Sequence, residues 1–92
     1  MAYTLVYTDD AQEDIEKLKK SGDLTALKKL ARIFEELLEH PFTGIGQPEQ
    51  LKYDFSGCWS RRITKKHRLI YKVEEQTVTV YLLSVYGHYS DR

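Results

Sequence analysis

The residues of this 92-residue chain that could do chemistry are one carboxylate, one histidine and a set of cations. Glu49 and Lys52 stand near the head of residues 48–71, and Arg61, Arg62, Lys65, Lys66 and Arg68 follow within the same stretch. His88 and Tyr89 lie close to the other end of the chain. Cleaving an RNA strand by transesterification needs a base for the 2′-hydroxyl proton and an acid for the leaving 5′-oxygen. It also needs cations around the charge that builds on the phosphorus. Histidine, whose ordinary pKa is nearest neutrality, suits either proton role. Glu49, His88, Lys52, Arg62 and Arg68 form such an inventory without a metal. Taken singly, each has a blander reading: a loop glutamate, a terminal histidine and a rim tyrosine are ordinary solvated surface.

Other chemistries fit less well. No His/Cys/Asp cluster falls at metal-ligand spacing, with His40 and His67 too far along the pattern to complete one, so no metal and no cofactor is expected. Gly44 and Gly46 do not make a dinucleotide fingerprint, because no strand precedes them and no helix follows. Cys58, beside Trp59 on a strand pattern, carries no nucleophile signature and reads as packing. As the single cysteine it excludes an internal disulfide framework, which fits a reducing cytoplasm. There is no apolar run of membrane-spanning length and no leader-like segment, so no membrane partner is expected.

Net charge is zero, yet it is unevenly spread. Residues 1–40 hold nine acids against six bases, whereas residues 50–72 hold seven bases against Asp54 alone. A neutral protein with one cationic strip can hold an anion locally without coating itself in nucleic acid. A solvated basic hairpin face is the competing explanation of the same composition.

The elements that must position these groups follow from periodicity. Residues 2–7 are β-branched and aromatic and predict a first strand. Thr8, Asp9 and Asp10 offer N-cap oxygens for a helix carrying Ala11, Ile15 and Leu18 on one face, and residues 21–23 end it and cap the next. Leu24, Leu27, Leu30, Ala31, Phe34, Leu37 and Leu38 make the apolar stripe of a second helix, which Pro41 stops near His40. A glycine-rich connector over 42–48 leads to Glu49, residues 51–55 read as a short strand, and Ser56-Gly57 as a turn. The last strand spans 77–86, with apolar residues on both parities that imply a central strand covered on both faces, or one face used for a partner.

The hairpin between these strands permits a sharper deduction. Trp59 and Ile63 are apolar on one parity, and Leu69, Tyr71 and Val73 on the other. If all five face the helices, Ile63 must face His67 across a three-residue loop of Thr64, Lys65 and Lys66. That register sets Arg62 opposite Arg68 on the face away from the helices, where two like charges are tolerated best with an anion between them. Arg61 then points toward the core, with its stem expected to snorkel to the sheet edge.

Four segments, PF-x-G-x-G-x-PE-x-LK over 41–52, SG-x-WSRRIT over 56–64, HRLIY over 67–71 and GHY over 87–89, together resemble the Txe/YoeB family. These are ribosome-dependent mRNA endonuclease toxins of bacterial toxin–antitoxin pairs, within the RelE superfamily. The resemblance implies a single α+β domain of RelE-like, microbial-RNase-like fold, with two helices packed on one face of a twisted, mostly antiparallel sheet. Carried over, it makes Glu49 the general base, His88 the general acid and Arg68 the main phosphate stabiliser. Lys52 and Arg62 assist, and Tyr89 positions or stacks on a base. It also implies cleavage of mRNA in the 30S decoding site, a YefM/Phd-type antitoxin and a homodimer. Two other expectations remain open here: a non-catalytic binding module, and a nuclease that cuts free RNA without ribosomes.

Overall fold

Polar caps and apolar spacing set the helix boundaries. The computed structural model describes residues 3–85. Helix α1 (Asp9–Ser21) starts where Thr8, in extended geometry, accepts the Ala11 amide on its hydroxyl at 3.0 Å. The N-cap is therefore Thr8 rather than either aspartate, and Asp9 and Asp10 fall in the first turn, where negative charge suits the helix dipole. Gly22 closes α1 in left-handed geometry at φ 77°, and Asp23 caps α2 (Leu24–Leu37) by accepting from the Ala26 amide.

The strands are β1 (Thr4–Tyr7), β2 (Glu49–Gln50), β3 (Cys58–Arg62), β4 (His67–Glu74) and β5 (Thr77–Val85). They form one five-stranded sheet in the order β1-β5-β4-β3-β2, with β1 parallel to β5 and every other pairing antiparallel. Both helices cover one face. Ala11, Leu18, Ala26, Leu30, Ile33 and Leu37 pack there against Ile63, Leu69, Tyr71, Val78 and Val80. This is the expected α+β arrangement.

Three expectations change. The buried stripe of α2 is Ala26, Leu30, Ile33 and Leu37, while Leu24 and Ala31 are exposed and Leu38 lies just past the helix end. The stripe centres on Ile33 because that is the side meeting the sheet, whereas Leu24, directly after the cap, points away from it. Residues 51–55 are not a strand. Pairing occurs earlier, at Glu49 and Gln50, and Tyr53–Phe55 form a 3-10 turn entered through Tyr53 at φ 59°. Glu49 is thus an exposed edge-strand residue rather than a loop glutamate.

The hairpin register is as deduced. Ile63 donates its amide to the His67 carbonyl at 2.9 Å, and Arg62 lies opposite Arg68. The hydroxyl of Thr64 accepts from the Lys66 and His67 amides, both at 3.0 Å, which closes the three-residue loop. A bulge between Ile70 and Tyr71 pairs them with Leu82 and Val80, leaving Tyr81 as the extra residue. The bulge explains the apolar residues on both parities of β5. Val78 and Val80 face the helices, whereas Tyr81 and Leu82 join Leu51, Phe55, Cys58 and Ile70 in a smaller cluster on the outer face.

Candidate active site

The face of the sheet opposite the helices carries the cationic residues in register. Arg62 and Arg68 are directly opposed on β3 and β4, and Arg68 is opposed in turn by Ser84 on β5. The adjacent row consists of Glu49, Ser60, Ile70 and Leu82. Glu49 is therefore the diagonal neighbour of Arg62, a relation that places side-chain origins about 7–8 Å apart. Such a span suits a carboxylate and a guanidinium acting on two sides of one phosphate.

The members of this array differ in exposure. Glu49, Lys52 and Arg62 are exposed, whereas Arg68 is only 5% exposed, because it stands on an interior strand between Arg62 and Ser84. Ser84 is buried with its hydroxyl oxygen unmatched by any hydrogen-bond partner among the described residues. Lys52 follows the short β2 strand and precedes the 3-10 turn, so it is set at the sheet edge. His88 and Tyr89 lie outside the described residues. Cys58 packs in the outer apolar cluster, where burial pushes its thiol pKa up against the opposing charge of Lys72.

Arg61, next in the chain to Arg62, points the other way. It does not snorkel: the side chain is fully buried. Nε donates to the Tyr71 hydroxyl at 3.3 Å. Nη1 donates to a Glu36 carboxylate oxygen and to the Ile45 carbonyl, and Nη2 to the carbonyls of His40 at 2.8 Å and Thr43 at 2.7 Å. A guanidinium has five N–H donors, and these contacts give each one an acceptor. Tyr71 passes the link on, donating its hydroxyl to the Pro41 carbonyl at 2.6 Å. Burial raises the Tyr71 pKa, with Arg61 opposing that rise. Burial would also raise Glu36, but hydrogen bonds from Arg61 and the Ile45 amide, with the nearby charges of Arg61 and His40, hold it below the usual carboxylate value.

A model of the YoeB-like toxin family of bacterial type II toxin–antitoxin systems matches residues 7–89. The chain belongs to that family. It is 40% identical over 77 residues to Toxin YoeB of Streptomyces coelicolor, covering 83% of this chain and 90% of that protein. Among solved structures, the YoeB/ParE toxin from Agrobacterium tumefaciens superposes with a TM-score of 0.81 at 34% identity, over 94% of this chain and 99% of that one. YoeB of Staphylococcus aureus, solved as a dimer and in complex with YefM, superposes with TM-scores of 0.80 and 0.78 at 28% and 27% identity. Both comparisons cover 97% of this chain and 100% of the staphylococcal one.

In this YoeB-like chain the motif over 41–71 serves both faces of the sheet at once. Glu49, Lys52, Arg62 and Arg68 are the outer set; Arg61, Tyr71 and the carbonyls of the 40–45 turn are the inner set. Reasoning from pattern identified the first and missed the second. A signal was present, since an arginine on core parity beside Trp59 and Ile63 demands a carboxylate and several carbonyls. Only the fold names Glu36, 25 residues away, as that carboxylate.

Proposed function

We propose that this protein is a ribosome-dependent mRNA endoribonuclease that cuts mRNA in the 30S decoding site and blocks translation. Glu49 accepts the 2′-hydroxyl proton as the 2′-oxygen attacks phosphorus. The bond to the 5′-oxygen breaks as His88 protonates that oxygen, leaving a 2′,3′-cyclic phosphate and a 5′-hydroxyl. Arg68 stabilises the charge on the nonbridging oxygens with help from Lys52 and Arg62, and Tyr89 positions a base. No metal is required by this scheme. The observation that carries the reading is the shared outer face of Glu49, Arg62 and Arg68 in a chain of the YoeB-like family.

The zero net charge supports dependence on the ribosome. A free nuclease needs its own groove to hold a flexible strand, whereas mRNA in the decoding site arrives already positioned. The staphylococcal YoeB–YefM complex and YoeB dimer support a YefM-type antitoxin that neutralises the toxin and a homodimeric assembly.

The test is a reconstituted translation reaction on a defined mRNA, read by primer extension, with and without ribosomes. The wild type cuts on the ribosome and only weakly on naked RNA. Arg68→Ala, Glu49→Gln and His88→Ala each lower cleavage by about 10²-fold or more. Efficient cutting without ribosomes would replace this reading with a general ribonuclease. RNA binding with no cleavage by the wild type would replace it with a binding module.

A further inference from the structure

We propose that Arg61 is a positioning residue for Glu49, acting through the turn over residues 40–46, an inference that rests on Glu49 being the general base. Glu49 begins a two-residue edge strand, paired with β3 at Ser60 and Trp59 and followed by one further backbone bond, from the Leu51 amide to the Cys58 carbonyl at 2.9 Å. Edge strands this short depend on the chain entering them. Here the entry is the 40–46 turn, whose φ values of 126° at Gly44 and 81° at Gly46 fold its carbonyls inward. Three of those carbonyls, from His40, Thr43 and Ile45, converge on the single guanidinium of Arg61.

The clamp continues directly into β3. Glu36 accepts from both Arg61 and the Ile45 amide, tying the turn to α2. The Arg62 amide donates to the Gly46 carbonyl at 2.6 Å, three residues before Glu49. Three consecutive residues of β3 therefore set the approach: Arg61 gathers the turn, Arg62 anchors its end, and Ser60 pairs with Glu49 itself. The fit is close enough that a Cβ on Gly46 would sit 2.8 Å from the Arg62 carbonyl oxygen, and one on Gly44 would run into the Glu36 carboxylate.

The positioning role follows from donor geometry. A lysine at 61 keeps the charge but offers three donors from one atom, too few for five acceptors spread around a planar fork. The turn then loses some of its anchors and the start of β2 shifts. Displacements of about 1 Å at a reacting group cost on the order of 10²-fold in rate. Neither Arg61 nor its partners on the helix side face the outer surface where RNA would bind, so binding should be spared.

The experiment is a double-mutant cycle of Arg61→Lys and Glu49→Gln, measured as kcat and KM for cleavage on programmed ribosomes, with amide exchange on the same proteins. Positioning through Glu49 predicts that Arg61→Lys lowers kcat by about 10–100-fold with KM little changed. In the Glu49→Gln background the same change lowers residual cleavage by less than about 3-fold. Equal losses in both backgrounds, a loss confined to KM, or undiminished cleavage by Arg61→Lys would overturn the proposal. If Arg61→Lys does not fold, Glu36→Gln takes its place, keeping every carbonyl contact while removing the charge partner. It is expected to give a smaller loss in kcat, of several-fold, that also vanishes with Glu49→Gln, and an undiminished kcat or an equal loss in both backgrounds overturns the idea. Should Glu49→Gln itself cleave like the wild type, the proposed base is wrong, and exchange at the Ile45 and Arg62 amides decides the remainder. Faster exchange in the position-61 or position-36 variant supports the anchoring of the turn, and unchanged exchange overturns it.

Discussion

On the helix side of β3, Arg61 is sealed from water with an acceptor for each of its five donors. On the outer side of the same strand, Arg62 is exposed and faces Arg68 across the ladder. Residue type and sequence position are nearly identical, and the strand pleat alone separates them. The inner guanidinium has its interactions completed by the fold, so its worth is measured in stability and in the placing of the turn. The outer one stands directly across the ladder from a like charge, and under the proposed function that pair is where an RNA phosphate would lie. Under the proposed function, the two faces divide the labour of one cationic motif between holding the site and being the site.

Breaking the inner side should have the largest effect. Arg61→Ala leaves the Glu36 carboxylate and three carbonyls without their buried partner, a loss of about 3–5 kcal/mol. For a domain of this size that lowers the melting temperature by more than about 10 °C in a thermal unfolding scan. Arg62→Ala should change stability by no more than about 0.5 kcal/mol while reducing cleavage on the ribosome. Comparable destabilisation by the two substitutions would erase the contrast.

A smaller effect should come from the junction of the two faces. Gly46→Ala combines a side chain at φ 81° with the close approach to the Arg62 carbonyl, and should cost about 1–3 kcal/mol by chemical denaturation. Gly22→Ala is the control for backbone strain alone, since its Cβ would meet nothing within 4 Å at a similar φ of 77°. The Gly46 variant should be the less stable of the two, and only it should lower cleavage.

The smallest effect expected is a change in pH dependence. The Glu36 pKa is lowered in the folded protein, so its ionised form stabilises the fold fully above its unfolded pKa. That contribution is lost as the pH falls through the folded value. Denaturation curves collected from neutral pH into the acid range should show Glu36→Gln less stable than wild type near neutrality, with the gap narrowing as acid protonates the wild-type carboxylate. A gap that stayed constant would mean that Glu36 acts through shape rather than charge.

Much of this protein can be read from the order of its residues, because local rules govern short range. Polar oxygens within residues 8–10 and at Asp23 mark helix starts, Gly22 stops one, and alternating apolar residues fix the hairpin register and hence the Arg62–Arg68 opposition. The candidate groups Glu49, Lys52, Arg62 and Arg68 were legible by type and motif.

What the tertiary structure alone decided depends on partners far apart in the chain. Which stripe of α2 is buried was settled by where the sheet lies. Pairing at Glu49 rather than at 51–55 was settled by where β3 offers an edge. The fate of Arg61 was settled by Glu36, by Tyr71 and by a turn of backbone carbonyls that carries no side-chain signature. Hydrophobic period and capping chemistry are properties of neighbouring residues and survive in one dimension. Satisfying a buried charge depends on which acceptors the folded chain brings within about 3 Å, and that distance exists only in three.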